Sequence, residues 1–163
     1  MTVRILAVCA GNICRSPVAA AAIETAAAKA GFAVEVDSAG TGSWNLGEPP
    51  HPKTVAASAG AGLEVRGRAR KINQADFDRF DVIVVMDKAN LRDVVELAPG
   101  LEDRAKVRLF RTFDPLTDHE EVADPYGGSD DDYDAMVQQV TAAAQGLVDS
   151  LVSGGVQGPV TPR

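Results

Sequence analysis

Apolar runs alternate with helical patterns along this chain. Val3 to Val8 is the first run, Ala33 to Val36 a shorter second, Asp81 to Met86 a third and Lys106 to Phe110 a fourth. Between them, Pro17 to Ala30 is Ala-rich and closes on Gly31, and His51 to Ala59 ends at Gly60. Asn73 to Phe80 opens on a residue suited to an N-cap, and Lys88 to Leu97 stops before Pro99-Gly100. The last pattern, Asp132 to Val152, carries Met136, Val137, Val140, Leu147, Val148 and Leu151 at helical spacing. The third run is apolar from Val82 to Met86, which suits a strand buried on both faces. This alternation predicts an α/β fold: a single domain over 1–152, with a four-stranded parallel sheet and helices on both faces. Residues 153–163, rich in Gly and Pro, read as a flexible tail.

Ligands of such sheets bind beyond the carboxyl ends of the strands. Cys9, Ser38, Asp87 and Asp114 are the polar residues expected there. The first strand leads into Cys9-Ala10-Gly11-Asn12-Ile13-Cys14-Arg15-Ser16, and a helix follows at Pro17. Five residues separate Cys9 from Arg15, about enough chain to wrap once around a tetrahedral dianion. A helix N-terminus offers unpaired N–H groups and a partial positive charge. Gly11 permits backbone angles closed to other residues, and Asn12 is the non-Gly residue best suited to a left-handed conformation. Pro17 suits the first helical turn, where its missing N–H is not needed. The segment therefore reads as a phosphate-binding loop between the first strand and the first helix, lined by Ala10, Gly11, Asn12, Ile13, Cys14 and Ser16.

A helix N-terminus and a nearby guanidinium favour the thiolate of a cysteine set between them. Arg15 presents a planar fork for two phosphate oxygens. Ser16 can donate its hydroxyl to the thiolate as it departs. Nucleophilic attack by Cys9 on a phosphoryl group follows from this set. An aryl phosphate also needs an acid for the leaving oxygen, then a base for water, and one carboxyl can do both. Asp124 is the choice, because Pro125 restricts its backbone and the long loop from Thr112 to Asp131 can carry it to the site. Trp44, after Gly40-Thr41-Gly42-Ser43, and Tyr126 are the aromatic walls expected for a substrate ring. His51 and His119 have no partner pattern and no role in this reading.

Composition narrows the setting. A net charge of -7 opposes a general nucleic-acid binder, and no apolar run reaches membrane-spanning length. The start of the chain lacks the features of a signal peptide. Both cysteines lie in one loop, so a disulfide framework is not expected and a reducing, cytoplasmic compartment is. Two Cys and two His far apart offer no zinc site, and no cofactor is expected.

The chain resembles the low-molecular-weight protein-tyrosine phosphatases from Val8 to about Leu151. The loop Val-Cys-Ala-Gly-Asn-Ile-Cys-Arg-Ser-Pro carries the resemblance most specifically. Asp37-Ser38-Ala39-Gly40, Met86-Asp87 with Asn90-Leu91-Arg92, Phe113-Asp114-Pro115 and Asp124-Pro125-Tyr126 match in order and spacing. The resemblance implies hydrolysis of phosphotyrosine through a phosphocysteine, with Cys9 as nucleophile, Arg15 as phosphate clamp and Asp124 as acid/base. It implies Asn12, Ser16 and Ser38 as loop support and Trp44 and Tyr126 as walls. Cys14 matches a second family cysteine that bonds to the nucleophile on oxidation. Two positions depart from the family: Gly127 stands where a second aromatic is frequent, and Gly67 where many members have His. The implied partners are phosphotyrosine proteins; no nucleic-acid or membrane partner is expected from the charge and the apolar runs, and although the sequence does not fix an oligomeric state, a monomer is the expectation. Neighbouring readings are an arsenate reductase, which needs relay cysteines beyond Cys14; a protein-arginine phosphatase, which usually carries Thr where Ile13 stands; and a silent phosphate-binding or redox-sensing module, which needs no acid.

Overall fold

The computed structural model describes residues 1–154. Four strands, β1 (Val3–Cys9), β2 (Val34–Gly40), β3 (Val82–Val85) and β4 (Val107–Leu109), form one parallel sheet in the order β2-β1-β3-β4. The helices are α1 (Arg15–Ala30), α2 (Pro52–Gly60), α3 (Asp76–Arg79), α4 (Lys88–Leu97), α5 (Leu101–Ala105) and α6 (Asp130–Val152). Side chains alternate across β1. Ile5, Ala7 and Cys9 join a core with α1 and α6, while Leu6 and Val8 join Phe77, Phe80 and Val94 under α3 and α4. The expected parallel sheet covered on both faces is what the chain forms.

The Ala-rich sequence of α1 has a packing purpose. Ala19, Ala22 and Ala26 are buried in the same core as Ala143 and Ala144 of α6, where small side chains let two helices approach closely. Gly31 closes α1 in the left-handed conformation, φ 68°, and its N–H bonds back to the last turn.

Strand order places the site. The chain leaves β1 toward β2 and later returns to β3 on the other side of β1. The connections after β1 and β3 therefore diverge, opening a crevice at their carboxyl ends. Cys9 ends β1 beside Gly40, and Asp87 follows β3 as the N-cap of α4.

Several elements differ from the pattern reading. β2 continues through Asp37 and Ser38 to Gly40, because its pairing with the β1 backbone does not depend on apolar side chains. α1 opens two residues earlier, at Arg15, leaving Pro17 still in the first turn. The Asn73 helix shrinks to one turn, Asp76–Arg79, and Asn73 gives its N–H to Asp76 Oδ2 at 2.9 Å instead of capping with its side chain. α6 starts at Asp130, held by a capping box between Ser129 and Asp132. α5 was not in the pattern. A 3₁₀ turn over Phe110–Phe113 follows β4 and sets Asp114 against Gly146 of α6, so Asp114 does not join the crevice as expected. The tail reading concerns mainly residues 155–163, which lie outside the described residues.

A Cβ at Gly146 would stand 1.9 Å from the carbonyl oxygen of Phe113. Alanine gains about 1 kcal/mol in helix propensity over glycine, but overpacking against a fixed backbone costs roughly 1–3 kcal/mol. Gly146→Ala is therefore expected to lower the urea midpoint; a raised midpoint would show that α6 can back away freely.

Candidate active site

The loop from Ala10 to Cys14 is curled by bonds made outside it. The carbonyl of Cys9 just before it accepts from Thr41 N at 2.9 Å, and its own carbonyls at Ala10 and Ile13 accept from Gly42 N at 3.0 Å and His51 N at 2.9 Å. With those carbonyls turned outward, the intervening N–H groups line the inside, the arrangement of an anion nest. Gly40 permits this closeness: a Cβ there would meet the Ala10 oxygen at 2.6 Å. Gly11 does not have the positive φ expected of it. A Cβ at Gly11 would stand 2.7 Å from Asn45 Oδ1.

Asn12 holds the curl. Among the described residues it is the one non-glycine with positive φ, 59°. Its side chain is fully used: Nδ2 donates to Ser16 Oγ at 2.8 Å and to Ser38 Oγ at 2.9 Å, and Oδ1 accepts from Arg70 N at 3.0 Å. Arg70 is in turn fixed by a two-pronged grip on buried Asp76, both contacts at 3.1 Å, and by Asp37 Oδ2 at 3.2 Å from Nε. Gly67, with φ 97°, lets the chain turn into this stretch. In the sequence Arg70 reads only as one of a basic surface cluster with Arg66, Arg68 and Lys71, and Asp76 gives no signal, since a charged pair six residues apart across a loop has no periodic pattern.

Cys9 Sγ accepts the Asn12 N–H at 3.3 Å and lies 3.0 Å from Ser16 Oγ. Ser16 Oγ already receives a hydrogen from Asn12, so its own hydrogen is free for the sulfur, a closer partner than the Ala39 oxygen at 3.4 Å.

Arg15 is 2% exposed. Its Nη1 donates to Asp87 Oδ2 at 2.7 Å and to the Val122 carbonyl at 2.9 Å. Its Nε is buried without a partner among the described residues, and Nη2 has only a long contact, 3.6 Å, to Asp124 Oδ2. One corner of the guanidinium is thus anchored, and the Nε–Nη2 edge is left for two oxygens of a ligand.

Val122 brings the long loop to this point. Its side chain is buried in the core, its N–H donates to Met86 O at 2.8 Å, and its carbonyl receives Arg15. Asp124 follows two residues later, half-exposed, with Oδ1 accepting Tyr126 N at 3.1 Å. Asp87 was expected near the site, but its service to Arg15 was not read from the sequence.

Cys9, Ala10, Gly11, Ile13, Cys14, Arg15, Trp44, Asn45, Asp124 and Tyr126 line one cavity of about 260 Å³. Trp44 is 74% exposed and Tyr126 64% exposed, so both stand at its rim. Asn12, Ser16 and Ser38 lie behind the loop. Asn45 is an addition: its Oδ1 faces Gly11 and its Nδ2 bonds Glu48 at 2.8 Å. No group of three or more metal-ligating side chains occurs among the described residues.

The sequence matches the profile of the Low molecular weight phosphotyrosine protein phosphatase family over residues 4–155. The chain belongs to this family. A Low molecular weight protein-tyrosine-phosphatase of Streptomyces coelicolor is 43% identical over 152 residues, 91% of this chain and 93% of that protein. A fission-yeast (Schizosaccharomyces pombe) family member is 40% identical over 85% of this chain and 90% of its own length. Among solved structures, a protein tyrosine phosphatase from Entamoeba histolytica with Hepes in the active site superposes with a TM-score of 0.90, at 28% identity, covering 93% of this chain and 98% of that one. Vibrio vulnificus Wzb in complex with benzylphosphonate gives 0.80 at 26% identity, with 91% and 98% covered. The family's sheet and loop are thus shared by this phosphatase chain.

Burial raises the Cys14 thiol above its ordinary range, against the opposing effect of the Tyr133 hydroxyl beside it. Burial also raises the Tyr133 hydroxyl, whose oxygen lies 3.8 Å from Cys14 Sγ. Raised pKa values mean the folded state holds these protons more tightly. Their contribution is complete below the unfolded thiol pKa, about 8.5, and is lost as pH rises toward the folded values. Stability should therefore fall above about pH 8.5, and less steeply in Cys14→Ala; equal slopes by urea titration would remove Cys14 as the cause. Separately, Asn12→Ala should destabilise more than Asn12→Gly by roughly 1 kcal/mol, since only Ala meets the left-handed penalty. Equal midpoints would remove strain at Asn12 as a determinant of the curl.

Proposed function

We propose that this chain is a cysteine-dependent protein-tyrosine phosphatase whose catalytic unit spans 1–152. The observation that carries the reading is the free Nε–Nη2 edge of buried Arg15, facing a cavity that also holds Cys9 and Asp124. An apolar rim of Ile13, Trp44 and Tyr126 suits an aryl group above that anion site. Family membership, and relatives named for phosphotyrosine, support the same substrate class.

The reaction has two displacements. Cys9 Sγ attacks phosphorus in line, the bond from phosphorus to the aryl oxygen breaks, and its electron pair goes to that oxygen. The Asp124 carboxyl gives the oxygen its proton. Loop N–H groups and Arg15 hold the equatorial oxygens as charge redistributes. Asp124, now a carboxylate, takes a proton from water, whose oxygen attacks phosphorus and breaks the bond to sulfur. The leaving thiolate is received by the Ser16 hydroxyl and the Asn12 N–H. Ser38 keeps Asn12 in place. No step calls for a metal or organic cofactor.

Cys14 is the resolving cysteine in this reading, since both thiols are free and line the same cavity. Peroxide converts Cys9 to a sulfenic acid; the Cys14 sulfur attacks it, water leaves, and a disulfide shields Cys9 from further oxidation. The acidic chain, net charge -7, is read as a cytoplasmic monomer that binds neither nucleic acid nor membrane. No helix among the described residues is long and apolar enough to cross a membrane.

Cys9→Ser should abolish turnover of phosphotyrosine peptides while retaining phosphate binding; undiminished turnover would sink the assignment. Asp124→Ala should slow phenyl phosphate by roughly 10²–10⁴, and an ester with a very good leaving group far less. Equal losses would count against Asp124 as the acid. A panel of phosphotyrosine, phosphoserine and phosphoarginine peptides with arsenate separates the neighbouring readings, with phosphotyrosine expected to lead. Cys14→Ser should keep activity in reductant and recover poorly after peroxide; full recovery would remove its protective role.

A further inference from the structure

His51 had no assignable role in the sequence, yet it joins three parts of the site. Its backbone N–H donates to the Ile13 carbonyl of the phosphate loop at 2.9 Å. Its Nδ1 accepts from Lys53 N at 3.1 Å and so caps α2. Its ring stacks on Tyr133 of α6, centroids 5.4 Å apart and 25° between planes. The same ring meets Tyr126 at 5.8 Å and 81°, an edge-to-face contact.

The last contact matters because Tyr126 is otherwise lightly held. It is 64% exposed, and although buried Pro125 precedes it, Gly127 and Gly128 follow, so no side chain on its C-terminal side stiffens that wall. Tyr133 gives His51 a firm base. It is buried, and its ring lies between α2 and the core beside Cys14. Ring orientation therefore passes from the core through Tyr133 and His51 to Tyr126.

We propose that His51 is a specificity-determining positioning residue: it holds Tyr126 as the aryl wall of the cavity. It does not touch the reacting atoms. The proposal rests on the aryl-phosphate reading of the cavity. An aromatic ligand should depend on it, whereas a bare phosphate, held by the loop and Arg15, should not. Replacing the side chain leaves the backbone bond to Ile13 intact.

The test is equilibrium binding of benzylphosphonate and of inorganic phosphate to the full chain, which requires no turnover. His51→Asn keeps a good helix cap but removes the ring. It should weaken benzylphosphonate by roughly 2- to 10-fold, the scale of an aromatic pair, with phosphate affinity changed less than about twofold on the same scale. His51→Phe restores a ring without the cap acceptor, so it should recover the benzylphosphonate preference while lowering Tm. In a Tyr126→Ala background, His51→Asn should have no further effect on the ratio of the two affinities. An unchanged ratio in His51→Asn, a parallel loss of both ligands, or a full effect without Tyr126 would each overturn the proposal. Failure of the phosphatase reading shows differently, as absent turnover in the unaltered chain, whatever the binding ratio.

Discussion

A guanidinium that is almost completely removed from water must be compensated, or the fold would not bury it. Arg15 is that group, and much of the site is arranged as its compensation. Asp87, delivered by the end of β3, takes one amino group, and the same group reaches the Val122 carbonyl. Asp87 is itself fixed as the N-cap of α4, exchanging bonds with Asn90. The strand order that sets β3 beside β1 is therefore what allows a cation to be buried at the start of α1. What the cation leaves unpaired is the edge that a tetrahedral anion can use.

The loop around that anion site is shaped by its outer bonds. Its carbonyls are claimed by the 41–42 turn and by His51, and its side-chain anchor, Asn12, is claimed by Ser16, Ser38 and Arg70. The curl is thus held by bonds within the protein itself. Preorganised donors spare the reorganisation that a flexible loop would need at the moment of reaction.

Much of this was legible in the sequence, for identifiable reasons. β1 and β3 were readable because burial on both faces leaves a continuous apolar run. The curled turn from β1 into α1 was readable because Cys9, Asn12, Arg15 and Pro17 each answer a separate local demand. The proline after Asp124 drew attention to that residue, which lines the cavity with Cys9 and Arg15. What was hidden depends on contacts between distant segments. The polar end of β2 is a strand by backbone pairing alone, and Asn73 lost its helix to the reach of Asp76. Asp114 is displaced by a 3₁₀ turn whose position follows from the packing of α6. Gly11 does not use the left-handed torsion its residue type suggests; its neighbour Asn12 does. His51 could not be valued until Tyr126 and Tyr133, 75 and 82 residues onward, were seen on either side of its ring.

Val122 has a consequence for how this long loop can vary. It is tied by its N–H to Met86, by its carbonyl to Arg15 and by its side chain to the core, and Asp124 lies only two residues beyond. The reach of the carboxyl is therefore set by a very short tether, whatever the length of chain that precedes it. The exposed stretch from Glu120 back to Pro115 is uncoupled from the position of Asp124 and is the natural place for insertions and deletions to accumulate. The span from Val122 to Tyr126 has no such latitude, since one added residue would carry the carboxyl away from the anion site while leaving the clamp intact.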